Sequence, residues 1–183
     1  LLVAVIGLAM ALQAHAQVIQ VSKFSLAKTE EGHVLNADFD FELTPRLQEA
    51  LNNGVALFFA VEFELIRPRW YWIDEKTANA RIDVRLSYNP LLRQYRISTG
   101  SLQRNFSSFK DALRTMSRIR SWLVLESGKV SPDTRYVAAV RMRLDTAQLP
   151  RPFQLSALTD RELSPASPWK SMPFVSDPEP VQP

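Results

Sequence analysis

The stretch Val55 to Trp72, VALFFAVEFELIRPRWYW, constrains this chain more than any other. Leu57, Phe59, Val61, Phe63 and Leu65 alternate with Phe58, Ala60, Glu62, Glu64 and Ile66, the period of two that arises when successive side chains point to opposite faces of a sheet. One face is wholly apolar; the other starts apolar and turns acidic. Burying one large apolar side chain contributes about 1.5–3 kcal/mol, so the apolar face predicts a core strand for which the rest of the chain is scaffold. Pro68 ends the pairing because it has no N–H to offer a neighbouring strand.

Period-two alternation recurs along the chain. It predicts strands over Gln17–Ala27, Val34–Leu43, Ala80–Tyr88, Gln94–Thr99, Leu102–Phe106, Trp122–Leu125 and Arg135–Leu144. Two segments read as helices instead. Thr44-Pro45 caps one that buries Leu47, Ala50 and Leu51 and stops at Gly54; Ser108 caps a second, reaching about Arg118, with Phe109, Ala112, Leu113, Met116 and Ile119 at helical spacing. From Asp145 onward, prolines at 150, 152, 165, 168, 173, 178, 180 and 183 argue against any long regular element, although Trp169, Met172 and Phe174 can pin the segment to the body. The pattern predicts a mainly β fold: an antiparallel β-sandwich, immunoglobulin-like in outline, with two short connecting helices. A mainly antiparallel α+β domain is the alternative.

With 183 residues, 46% of them hydrophobic, the chain can build one core, and residues 17–175 are expected to form a single domain followed by a disordered proline-rich tail, 176–183. Residues 1–16, LLVAVIGLAMALQAHA, form an uncharged apolar run closed by Ala14-His15-Ala16, the small-x-small form that a signal peptidase reads. The expectation is export, with cleavage after Ala16 and a periplasmic or secreted product; retention of the leader as a membrane anchor is the alternative. There is no cysteine, so burial alone is expected to hold the fold, and thiolate catalysis, zinc–thiolate sites and a lipoprotein anchor are not expected. A net charge of +3 gives no argument for a nucleic-acid partner.

Beyond the leader the only histidine is His33, so a His₃ or His₂Glu zinc site cannot be assembled, and no metal or cofactor is implied. His33 sits beside Gly32 in a polar turn and is expected to be exposed and chemically idle. Four carboxylates are candidates for acid/base work: Asp38 with Asp40, and Glu62 with Glu64, each pair on one face of a strand. Glycan hydrolysis would require those two strands to adjoin. The weightier reading is that Arg81, Arg85, Arg141 and Arg143 pair with such acids across a solvated sheet. Lys110, Arg114 and Arg118 form a basic stripe on the second helix, suited to water, to an anionic lipid surface or to an acidic partner. A small apolar ligand held among Phe59, Phe63 and Tyr136 is a further alternative.

Arg67, Arg69, Trp70, Tyr71 and Trp72 are unusual for a connector, because aromatics with a polar handle beside arginines dominate protein interfaces. They are the expected partner surface of a non-enzymatic, exported interaction module; aromatics that close the core at a strand end, or that stack on sugars, are the alternatives.

Three blocks, FDFELTPRLQEALNNGVALFFAVEFELIRPRWYWIDEK, LSYNPLLRQYRISTG and RMRLD…LPRPFQLSAL, resemble the bacterial family domain of unknown function 4390. The likeness covers nearly all of the chain beyond the leader. It implies an exported envelope protein, and because members are often encoded beside a membrane sensor kinase of the nitrogen-regulation type, it implies such a kinase as partner. It brings no catalytic residue with it.

Overall fold

Alternation becomes strand where one face of the chain can turn toward a common core. The computed structural model describes residues 19–68 and 75–176. Residues 1–16, Arg69 to Trp72 and positions 177–183 of the expected tail lie outside them. The elements run β1 (Gln20–Thr29), β2 (Gly32–Asp40), α1 (Pro45–Asn52), β3 (Leu57–Arg67), β4 (Glu75–Asn89), β5 (Gln94–Thr99), β6 (Leu102–Phe106), α2 (Phe109–Met116), β7 (Arg118–Glu126), β8 (Arg135–Leu144), α3 (Arg151–Ala157) and β9 (Lys170–Val175). Two antiparallel sheets result, one ordered β1-β2-β7 and the other β6-β5-β4-β3-β8-β9. The fold is a β-sandwich with few helices, as the alternation predicts, and the likeness to an immunoglobulin domain stays at the level of outline because the strands divide three and six.

The central stretch occupies the middle of the larger sheet, with β4 on one side and β8 on the other. Leu57, Phe59, Val61, Phe63 and Leu65 are completely buried. They share one core with Leu35, Ala37 and Phe39 from β2, Ile119, Val124 and Leu125 from β7, and Tyr136, Val140 and Met142 from β8. The inner faces of both sheets thus supply one hydrophobic layer.

Gly32 opens β2 at φ 141°, and a Cβ there would come within 2.0 Å of the Leu125 carbonyl oxygen on β7. Only glycine allows that approach. His33 beside it corrects the sequence expectation: it is buried, with its ring edge-on to Phe174 at 5.1 Å. The hairpin is pulled under β9, which the local polarity of the turn does not reveal.

Both predicted caps form. Thr44 accepts from the Leu47 N–H at 3.3 Å, and Ser108 accepts from the Asp111 N–H at 3.4 Å. The second helix is shorter than its apolar spacing suggests. It ends at Met116 because the Ser117 carbonyl accepts the Phe39 N–H of β2, and the chain continues at once as β7. Arg118 is therefore a strand residue, and the expected three-membered stripe on one helix reduces to Lys110 and Arg114.

The proline-rich region is more regular than its composition suggests. Helix α3 carries Pro152 in its first turn, where the missing N–H would have no helical partner anyway. Strand β9 carries Pro173 at the sheet edge, where one side needs no hydrogen bond. Ser176, the first residue of the expected tail, is buried, and its carbonyl accepts from Asp133.

Candidate interaction surface

The outer face of the six-stranded sheet is built by the residues that alternate with the core set. On β3, Glu62 stands between Arg81 of β4 and Arg141 of β8, its Cα partners in the ladder. Arg141 Nε donates to Glu62 Oε2 at 2.6 Å, and Arg143 Nε donates to Oε1 at 3.0 Å. Arg81 lies 3.9 Å from the same carboxylate and donates to Asp83 at 2.7 Å and to Asp145 at 2.6 Å. Gln148 donates to Asp145 at 3.0 Å, and Arg143 stands 3.8 Å from it. Three arginines and three carboxylates thus form one balanced, partly covered network.

Burial alone would raise the Glu62 pKa, but the hydrogen bonds and charges of Arg141 and Arg143 outweigh it, holding the carboxyl below its ordinary value. Asp145 behaves likewise: burial raises it, and Gln148, Arg81 and Arg143 bring it below the usual carboxylate value. Arg81 is held above the ordinary guanidinium value by Asp83 and Asp145. These groups stay ionised, which suits a permanent charged surface and removes Glu62 as a proton donor near neutrality.

Aromatic groups flank the network. The Arg141 guanidinium lies 4.5 Å from the centre of the Trp169 ring, and Arg85 stacks over Phe58 at 5.6 Å. Trp169 remains 37% exposed. The cross-strand pairing read from the sequence is formed by Arg81, Arg141 and Arg143, whereas Arg85 takes an aromatic partner.

The remaining candidates are dispersed. Asp38 and Asp40 lie on β2 in the smaller sheet and Glu62 and Glu64 on β3 in the larger one, so the strand adjacency that a glycosidase-like pair requires is not formed. Asp38 pairs with Lys23 at 3.4 Å and with Arg120; burial raises its pKa, and these cations lower it below the ordinary value. Asp40 accepts from Ser22 at 2.5 Å, and Glu64 pairs with Lys76 at 2.6 Å. Phe59, Phe63 and Tyr136 are core side chains, and the Tyr136 hydroxyl accepts from the Ser131 N–H at 3.1 Å. Arg67 is exposed at the end of β3, opposite Glu75 in the ladder; Arg69, Trp70, Tyr71 and Trp72 lie outside the described residues. Lys110 and Arg114 border an open cleft of about 500 Å³ between α2 and the end of β2.

Sequence reasoning missed Asp145, Trp169 and Arg120. Asp145 had a signal, because it follows Arg143 at strand spacing; Trp169 lies in a proline-rich segment whose alternation is too short to read.

The family model described as a domain of unknown function, DUF4390, matches residues 16–173. The chain belongs to this family. No curated protein and no solved structure matches it. Within this DUF4390 domain, the matched span takes in every residue of the Glu62 network and Trp169.

Proposed function

We propose that this DUF4390 protein is an exported, non-enzymatic envelope module that binds a protein partner through the outer face of its larger sheet. The observation that carries the reading is the Glu62–Arg141–Trp169 cluster. Tryptophan and arginine are the side chains that most often dominate binding energy at interfaces, and here each is already held in place by its neighbours. Side chains fixed in advance lose less freedom on docking, so more of the contact energy is available as affinity. Asp38, Glu62 and Glu64 are each paired with cations, and the Asp38–Asp40 and Glu62–Glu64 pairs lie on different sheets, which supports recognition over hydrolysis. The apolar run ending in Ala14-His15-Ala16 supports export.

The partner that fits the family resemblance is the extracytoplasmic part of a membrane sensor kinase. Titration of that segment with the purified protein tests the reading. The Arg141→Ala/Trp169→Ala variant should bind at least about tenfold more weakly than wild type, whereas Leu102→Ala, on an exposed edge strand, should bind as wild type does. Equal binding by the double variant would show that the surface is misassigned.

A further inference from the structure

One margin of the six-stranded sheet is layered in the way a membrane surface is layered. Leu57 faces Leu86, Phe59 faces Leu144, and Tyr95 faces both Tyr88 and Phe106. The start of β3, the ends of β4, β6 and β8 and the start of β5 therefore lie at the same margin. Strand β4 runs on beyond the start of β3 and the end of β8, so within the sheet the β4–β5 hairpin reaches furthest along this margin. Its tip carries Leu91 and Leu92, which are 92% and 62% exposed. The Asn89 side-chain oxygen accepts from both of their N–H groups, at 3.0 and 3.1 Å, fixing the turn that presents them.

Behind the leucines comes an aromatic layer. Tyr88 and Tyr95 face each other one pair below the closing pair Asn89–Gln94, a step of about 3.3 Å along the strands. Their rings lie 4.7 Å apart, and Phe109 at the start of α2 continues the stack 5.4 Å from Tyr95. Cations surround this layer. The tip sequence YNPLLRQYR contains Arg93 and Arg96 and no acid; the adjoining helix exposes Lys110 and Arg114, the latter 3.5 Å from Asp111, with Asp40 and Glu42 across the cleft they border.

We infer that the β4–β5 hairpin docks this protein on an anionic lipid bilayer, with Leu91 and Leu92 entering the hydrocarbon boundary. Tyr88 and Tyr95 then sit at the headgroup level, where amphipathic rings are favoured, and Arg93, Lys110 and Arg114 meet the lipid phosphates. A protein pocket could take two leucines, but it would not call for an aliphatic tip with Arg93 beside it, tyrosines just behind and further cations on the adjoining helix. The inference is independent of the partner surface proposed above, which occupies the outer face of the sheet.

The absence of native cysteine allows a depth measurement on the full chain. An environment-sensitive fluorophore is attached at Leu92→Cys or, as control, at Leu102→Cys, which is exposed on β6 well away from the tip. On vesicles containing phosphatidylglycerol, the label at 92 should shift to the blue and gain intensity, and the label at 102 should not. Vesicles of phosphatidylcholine alone should give a much smaller response at 92. Leu91→Ser/Leu92→Ser should reduce co-sedimentation with the anionic vesicles about tenfold, with an unchanged thermal transition because neither leucine packs in the core. An unshifted label at 92, equal shifts at both positions, or co-sedimentation that the serine variant leaves unchanged would each overturn the inference.

Discussion

Glu62 shows how a single position joins stability to surface chemistry. Its carboxylate accepts from Arg141 and Arg143 and is 16% exposed, so removing it leaves two guanidinium groups short of an acceptor. Glu62→Ala should cost about 2–3 kcal/mol of unfolding free energy, measured by urea denaturation near neutral pH. The pH dependence has a definite sign. Since the folded-state pKa values of Glu62 and Asp145 lie below their ordinary values of 4.5 and 3.8, their contribution is complete above those values. It is lost as pH falls through the folded values. Glu62→Gln should therefore destabilise clearly at pH 7 and much less at pH 3, and a constant difference between the two would contradict the network. Gly32 gives a second prediction at this scale: Gly32→Ala forces a Cβ onto the Leu125 carbonyl and should cost about 3 kcal/mol or more, read as a lowered thermal midpoint.

At the scale of elements, sequence pattern succeeds where one neighbour relation dominates and fails where a distant contact intervenes. The β3 stretch was legible because five consecutive inward positions are apolar and both flanking strands repeat its period. The pairing of Glu62 with Arg81 and Arg141 was legible for the same reason. The end of α2 was not, because Ile119 fits helical and strand spacing equally and the decision lies with Phe39, far away in sequence. Neither α3 nor β9 was legible, since both place proline where its defects are harmless. The two caps separate local from tertiary contributions. Thr44 caps α1 and also donates to the Glu162 carbonyl at 2.9 Å, whereas Ser108 only caps its exposed helix end. Thr44→Ala should cost about 2 kcal/mol and Ser108→Ala about 0.5–1 kcal/mol, and chemical denaturation of the two variants side by side checks the order.

For the whole molecule, two sheets turn one apolar layer inward and present charges that neutralise one another outward. The body carries its paired arginines and Trp169 on one broad face, the proposed partner surface, and the leucine-tipped hairpin at one end. The Arg67 to Trp72 stretch, which the sequence favoured as the partner surface, shares the larger sheet through Arg67 alone among the described residues. The surface proposed from the structure is centred on Trp169, which the sequence places in the proline-rich segment before the tail and expects to pin that segment to the body. Radical footprinting of Trp169 tests that assignment most directly, comparing the purified protein with the protein in its own cell envelope. Marked protection of Trp169 in the envelope, with oxidation of core aromatics unchanged, is the predicted result; equal oxidation of Trp169 in both settings would contradict it.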